Sequence, residues 1–347
     1  MGVTEAYGKL KSGRAISQLR CNEPMYRHTT FRIGGPAAIY AVCDTLDQLA
    51  FVLDTAKECV VPWSIVGKGS NLLVSDEGFA GIAISLGRDF KTFRLERSDQ
   101  YGEDDDNLLH DPDDPDSSAI LTSAGNVSEP GADPGDGRNE PDIMVCGAGM
   151  SLGRLVSEAC RMGYSGFEFA VGIPGSFGGA VFMNAGTPEA TIGSVTRSVV
   201  VYRPGEGLHR YMSEDLPWVY RYSGIPKGEV ILEAQIHLRK ANKTYLQARM
   251  EASLERRRKT QPSGYPNAGS IFRNPVGDSA GRLIEAAGLK GTRIGGAQIS
   301  DVHANFILNV DNATAQDVLR LMTLARDKVK DLYGIELQPE TKFLGFS

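Results

Sequence analysis

The sequence predicts an α+β fold. Helical and strand patterns mix along its 347 residues without a regular βαβ repeat, and no internal repeat is visible. That length suits two or three domains of about 100–150 residues each. In order, residues 45–59 (TLDQLAFVLDTAKEC) repeat apolar residues at helical spacing, with Asp44 or Thr45 placed to cap them. An apolar strand, WSIV, then stops at a Gly-rich turn, and AGIAISL alternates as a second strand. After an acidic stretch, DIMVCGAGM reads as a strand. SLGRLVSEACRMG follows as an amphipathic helix, capped by Ser151 and closed by Gly163. SVVVY and VILEAQIHL are strands, and LQARMEASLERRRK is a helix whose basic end suits its dipole. The remainder predicts a short helix (SAGRLIEAAG), a strand (HANFILNV), a long amphipathic helix (ATAQDVLRLMTLARDKVKDLYG) and a last strand within ELQPETKFLG.

Composition excludes several classes. Hydrophobic residues make up 41%, enough for a sizeable core, and no apolar run approaches the roughly 20 residues of a membrane helix. The opening residues lack the apolar core of a secretory signal and miss the myristoylation pattern. Five cysteines without a CxxC spacing argue against a disulfide framework or a zinc site, so a reducing cytoplasm is expected. Each cysteine is expected to be a small buried hydrophobe. The five histidines show no metal spacing, and no metal is expected.

The formal charge of −6 conceals an asymmetry. Residues 99–142 hold fourteen acids and one Arg, a local charge of −13, which leaves +7 on the rest. A weakly basic body suits a small anionic ligand and falls short of the concentrated patch of a nucleic-acid binder. The acidic segment 97–141, rich in Asp, Pro and Gly, is expected to be a disordered insertion. Because long surface loops add little closure entropy, a protein lacking residues 100–140 is expected to keep its activity. A deletion protein that folds but does not turn over would refute this.

Three blocks carry chemistry. Gly67-Lys68-Gly69-Ser70-Asn71 follows the WSIV strand, and its successive amides can cradle a pyrophosphate. Alone it is weak evidence, better read as a tight turn without ligand, and it is neither a Walker A loop nor a full GxGxxG. Gly147-Ala148-Gly149 opens a helix, but no second strand ending in an acid follows, so a dinucleotide fingerprint is rejected. The second block, residues 166–186, holds six glycines with Pro174 and Asn184; either close packing or a bound ring system with its diphosphate explains it. The third is Tyr265-Pro-Asn-Ala-Gly-Ser270-Ile-Phe-Arg273-Asn274-Pro275, where no GxSxG elbow surrounds Ser270. Taken alone, Ser270 is a turn serine, and Arg221 and Glu340 are surface charges.

Together, in this order, RHTTFRIGGP, GKGSN, GIPGSFGGAVFMNAG, YRYS, NAGSIFRNP, GLKGTRIGGAQIS and LQPETKFLG resemble the UDP-N-acetylenolpyruvoylglucosamine reductase family (UDP-N-acetylmuramate dehydrogenases) of bacterial cell-wall synthesis. The likeness covers about residues 20–95 and 143–346, and the short stretch after YRYS is similar to the family's type II branch. It implies a two-part FAD-binding fold of the vanillyl-alcohol-oxidase (PCMH) type, over residues 20–85 and 86–242. A C-terminal α+β substrate domain over 243–347 would follow. It implies noncovalent FAD held by Gly67, Lys68, Gly69, Ser70 and Asn71, and by Ile173, Pro174, Gly178, Gly179, Asn184 and Gly186. Arg221, Ser270 and Glu340 match the family's catalytic positions, and Tyr220 and Asn274 match substrate contacts. Arg257 and Lys259, in the basic helix end, match a substrate clamp or are simply a solvated terminus.

The implied reaction has two halves: NADPH reduces FAD, and the hydride then reaches an enolpyruvyl ether on a nucleotide sugar. Negative charge develops beside the attacked carbon, and preorganised donors stabilise it best. Arg221 offers a fork matched to the carboxylate, a protonated Glu340 donates to the same charge, and Ser270 protonates the carbon. The family's Arg-x-x-Lys-x-Pro pattern is broken, since Thr260 stands where Lys is usual and Lys259 would substitute. The usual Gly-Ala-Tyr-Gly after Met-Asn-Ala is Gly186-Thr187-Pro-Glu-Ala190 here. A cytoplasmic monomer without nucleic-acid or membrane partners is expected. Two rival readings stand beside this one: an FAD oxidoreductase acting on a sugar lactone or alcohol, and an inactive nucleotide-binding regulator.

Overall fold

The computed structural model describes residues 2–13, 15–96 and 141–346. The expected acidic loop, and the effect of deleting it, lie outside these residues except for Pro141. The chain opens with α1 (Val3–Ser12), β1 (Gln18–Pro24), β2 (Pro36–Cys43), α2 (Leu46–Glu58), β3 (Trp63–Ile65), β4 (Leu72–Val74) and β5 (Phe79–Leu86). Four of these strands form a sheet in the order β1-β2-β5-β3, with β2 and β3 parallel to β5. Helix α2 starts where the sequence predicts, with the Thr45 hydroxyl accepting from the Gln48 amide at 3.3 Å. Its Leu49, Val52, Leu53 and Ala56, at helical spacing, are buried. Helix α1 was not legible: only Ala6 and Leu10 of its ten residues are buried, too few for a periodic signal.

The second group comprises β6 (Phe93–Glu96), β7 (Asp142–Gly147), α3 (Leu152–Met162), β8 (Tyr164–Ser165), α4 (Phe177–Phe182), β9 (Thr196–Arg203), β10 (Gly207–Met212) and β11 (Val230–Lys240). They build an antiparallel sheet ordered β10-β9-β11-β7-β6, with β8 against the end of β11. Gly163 closes α3 in the left-handed conformation at φ 83°. Ser151 precedes α3 as expected, but its side chain makes no cap and takes another partner, described below. One continuous core lies between and beneath these two sheets.

The last group is α5 (Lys243–Thr260), β12 (Asn267–Ser270), α6 (Ala280–Ala286), β13 (Arg293–Ile294), β14 (Ala297–Ile299), β15 (Phe306–Asn309), α7 (Ala315–Tyr333) and β16 (Lys342–Leu344). Helix α5 lays Leu246, Met250 and Leu254 on the first core. The sheet β12-β15-β14-β13 and helices α6 and α7 enclose a second core that also takes in Phe31, Ile33 and Leu73. Thr314 and Asp317 form a capping box on α7, and the Asp76 carboxylate accepts from the Ala315 and Gln316 amides at 2.7 and 3.1 Å. The expected last strand is shorter than its motif. Only Lys342–Leu344 pair, parallel, with β4. Gln338–Glu340 instead run beside the serine segment: the Gln338 carbonyl accepts from the Arg273 amide, and the Glu340 amide donates to the Ile271 carbonyl, each at 2.8 Å. Four of the five cysteines are buried, whereas Cys21 is exposed on β1, contrary to the expectation. No described helix is long and apolar enough to cross a membrane, and no described group of His, Cys, Asp and Glu could hold a metal.

Candidate active site

The turn Gly67–Asn71 links β3 to β4. None of its five amides donates to an acceptor among the described residues, so they form a concavity of free donors. The turn is pressed against its surroundings on both sides. A Cβ on Gly67 would lie 2.3 Å from the Ser176 hydroxyl oxygen, and one on Gly69, at φ +61°, would lie 2.2 Å from the His28 carbonyl oxygen. The Ser70 hydroxyl donates to the Pro174 carbonyl at 3.2 Å, joining the turn to the second glycine-rich run. Lys68 donates to the Ser151 hydroxyl at 2.7 Å, the partner Ser151 takes in place of an α3 cap.

In that second run, Ser176 caps α4 by accepting from the Gly179 amide at 3.3 Å. Ile173 is half-buried, and Pro174 and Gly179 are exposed beside the turn. Gly178 and Gly186 serve packing: a Cβ would lie 2.7 Å from the Ala148 Cβ and 2.4 Å from the Ala190 carbonyl oxygen, respectively. Asn184, buried and at φ 42°, accepts from the Gly193 amide at 2.9 Å and donates to the Val219 carbonyl at 3.0 Å.

That bond anchors the loop bearing Arg221. Val219 and Tyr222 exchange both backbone hydrogen bonds, at 3.0 and 3.1 Å, leaving Tyr220 and Arg221 at the tip of a two-residue turn. The Ser223 hydroxyl ties the other side to the Phe182 carbonyl at 3.1 Å. Arg221 sits at φ 59°, where glycine or asparagine is usual, and such strain persists only where neighbours impose it. Its guanidinium lies 4.9 Å from the centre of the exposed Tyr220 ring.

Arg221 Nε donates to Glu340 Oε1 at 2.5 Å. The partners come from loop and C-terminus, and two backbone contacts bring the carboxyl there. The Asn71 side chain donates to the Glu340 carbonyl at 3.2 Å, and the Lys342 amide donates to the Asn71 carbonyl at 3.0 Å. Asn71 therefore joins the amide concavity to the acid. Glu340 is 8% exposed, and its Oε2 is buried with no partner among the described residues. Burial pushes its carboxyl pKa above the ordinary value, against the pull of Arg221.

Ser270 ends β12. One extra residue between Asn267 and Ser270, opposite Leu308 and Phe306, makes a β-bulge with Gly269 at φ +75°. The bulge re-aims Ser270, whose half-buried hydroxyl has no partner among the described residues. The next residue, Ile271, bonds Glu340, and a Cβ on Gly269 would lie 4.0 Å from the Ser70 carbonyl oxygen. The serine segment thus lies between the terminal acid and the free-amide turn. Thr30 closes this corner by donating to the Asn267 carbonyl at 2.7 Å.

Tyr220 and Asn274 line one cleft of about 430 Å³ together with Arg273 and Pro339. The Asn274 side-chain oxygen accepts from the Ala280 amide at 3.1 Å. Arg257 is half-buried over Gly172, and burial, then Arg256 and Arg221, lower its pKa. Lys259 lies on the exposed face of α5, paired with Glu255 at 3.3 Å. Sequence reasoning gave no site role to Ser176, Thr30 or Arg273, and read Ser151 only as a helix cap. A serine before Phe-Gly-Gly-Ala is a readable N-cap, whereas the placement of the others is tertiary and leaves no local mark.

Free amides, a buried acid, a guanidinium and a hydroxyl gathered around Asn71 are groups suited to holding an anion and moving a proton. Residues 261–344 match the family model of the UDP-N-acetylenolpyruvoylglucosamine reductase C-terminal domain. The chain is 40% identical over 327 residues to the UDP-N-acetylenolpyruvoylglucosamine reductase of Heliobacterium modesticaldum, covering 94% of this chain and 90% of that protein. It is 34% identical over 335 residues to that of Bacillus subtilis, covering 96% of each. It superposes on the crystal structure of the Thermus caldophilus enzyme with a TM-score of 0.70 at 32% identity, over 94% of this chain and 98% of that one. The chain belongs to the UDP-N-acetylenolpyruvoylglucosamine reductase family and is an oxidoreductase of that fold.

Proposed function

We propose that this protein is an FAD-dependent reductase. It takes hydride from NADPH and converts UDP-N-acetylglucosamine-enolpyruvate to UDP-N-acetylmuramate for peptidoglycan synthesis. The observation that carries this reading is the meeting of Arg221, Glu340 and the Ser270 segment at the Gly67–Asn71 turn. The residues present fit FAD: five free amides and two Cβ-intolerant glycines make a cradle for its diphosphate. In this reading residues 20–85 and 86–242 hold the cofactor and residues 243–347 the substrate. Four buried thiols and one exposed thiol, all free, suit a reducing cytoplasm.

Bound FAD would supply the two-electron relay between NADPH and substrate. The protein's own part is to hold charge and protons. Arg221 presents its guanidinium to the enolpyruvyl carboxylate, pinned by Asn184 and Ser223 from behind. Glu340, its carboxyl pKa raised by burial and its Oε2 without a partner among the described residues, stands ready to donate toward charge developing on the same carboxylate when it carries its proton. The Ser270 hydroxyl, without a partner among the described residues, gives its proton to carbon. Arg257, half-buried beside Arg221 without a carboxylate of its own, suits the substrate diphosphate, with Tyr220 and Asn274 on the cleft wall.

The purified protein should be yellow, should bleach on anaerobic addition of NADPH, and should regain its colour with the enolpyruvyl substrate. Recovery only with oxygen would favour a lactone or alcohol oxidoreductase, and a colourless protein that binds UDP-sugar would favour a regulator. The cradle has its own test. Gly67→Ala places a methyl group against Ser176, so FAD binding should weaken by about tenfold or more. Quenching of flavin fluorescence on titrating the apoprotein measures it, and unchanged affinity would move the diphosphate elsewhere.

A further inference from the structure

Three cations near the catalytic group make no ion pair among the described residues, although Glu340 lies within the field of Arg273 and Lys342. Arg273 lies three residues past Ser270, Lys342 two past Glu340, and Lys227 six past Arg221. Arg273 Nε is buried without a hydrogen-bond partner among the described residues. Burial, then Arg273, then Lys227 depress the Lys342 pKa, so the three charges share one field. The nearby acids are engaged elsewhere: Glu340 with Arg221 at 2.5 Å, Glu336 with Lys330 at 3.5 Å, and Glu229 with Arg203 at 2.8 Å. The backbones beneath are fixed, since Arg273 bonds Gln338 and Lys342 bonds Asn71. Arg273 also lines the cleft that holds Tyr220 and Asn274.

Like charges gathered on rigid backbone, one with a buried orphaned donor, repel one another unless an anion neutralises them. We propose that Arg273 and Lys342, with the charge of Lys227 nearby, form a phosphate-binding subsite beside the cleft, separate from the carboxylate fork of Arg221. The proposal rests on the function above, which offers two phosphate sources: the UDP-sugar diphosphate, and the pyrophosphate or 2′-phosphate of NADPH. Arg273 supplies a planar fork, and Lys342 and Lys227 supply point charges.

The test titrates FAD-loaded wild type, Arg273→Gln and Lys342→Gln calorimetrically with UDP, NADP⁺, NAD⁺ and inorganic pyrophosphate. Each substitution should weaken at least one of these about tenfold or more, and less steeply at high salt. A loss confined to UDP assigns the substrate diphosphate. A loss for NADP⁺ exceeding that for NAD⁺ assigns the 2′-phosphate, and equal losses assign the dinucleotide pyrophosphate. Lys342 is more accessible than Arg273, so its variant reports even if Arg273→Gln misfolds. Pyrophosphate binding that depends on these residues, without nucleotide binding, keeps the subsite and sinks the proposed function. Unchanged affinities for all four probes in a variant with wild-type circular dichroism and melting overturn the subsite.

Discussion

Replacing Ser270 with alanine is expected to leave flavin bleaching by NADPH intact and to slow recovery of colour with substrate by about 100-fold or more. The asymmetry follows from where the hydroxyl stands. Ser270 makes no described contact with the Gly67–Asn71 turn through its side chain, so cofactor binding and the nicotinamide half-reaction do not draw on it. Its oxygen has no partner among the described residues, and its backbone is held by the β12–β15 bulge and by the bond from Glu340 to the neighbouring Ile271. Alanine therefore removes a proton donor without loosening the fold. A hydroxyl is a weak acid, yet a carbon bearing negative charge is a strong base, so the transfer is feasible only from a fixed, close donor. Anaerobic stopped-flow absorbance separates the two halves. Reoxidation at the wild-type rate would remove Ser270 from the reaction, and loss of bleaching would give it a role in cofactor or nicotinamide binding. A cysteine at this position retains a proton and should recover part of the rate.

Much of this arrangement is legible in the sequence. Helices α2, α3, α5, α6 and α7 carry caps or periodicity strong enough to read, whereas the glycine turn reads alone as an ordinary tight turn and gains meaning only beside the other blocks. The residues of the site were legible only as members of a resemblance. Nothing local marks Glu340 as buried, because its burial comes from β16 pairing with β4 and from the serine segment lying against it. Arg221 is likewise unreadable as a strained turn tip, since the bonds that impose its φ come from Asn184 and Ser223, whose partners are distant in sequence or on another helix. Asn71 and Asn184, expected beside a cofactor, put their side chains to work inside the protein, on the Glu340 and Val219 carbonyls. Side-chain composition identifies such residues, but only tertiary pairing says which way they face.

Glu340 carries the second large expectation. Glu340→Ala should lower the rate of the substrate half-reaction by about 10²–10³-fold, the usual effect of deleting one preorganised donor, and leaves Arg221 without its partner. Glu340→Gln tests the protonation state more sharply. Arg221, Arg273 and Lys342 face the carboxyl and favour its ionised form, but burial outweighs them and raises its pKa. If the neutral acid is the donor, the wild-type rate should fall as pH rises through that elevated value. Glutamine keeps a donor without a titration, and its profile should lose this limb while retaining more rate than alanine. Stability gives an independent reading with the same sign. A group whose folded pKa exceeds its unfolded value contributes stability below the unfolded pKa and loses it as pH climbs through the folded one. The melting temperature of Glu340→Gln should therefore gain on wild type as pH rises from the ordinary glutamate range. A glutamine profile parallel to wild type, with no relative gain in melting temperature, would mean that Glu340 works as the carboxylate, holding Arg221 by charge rather than giving a hydrogen bond.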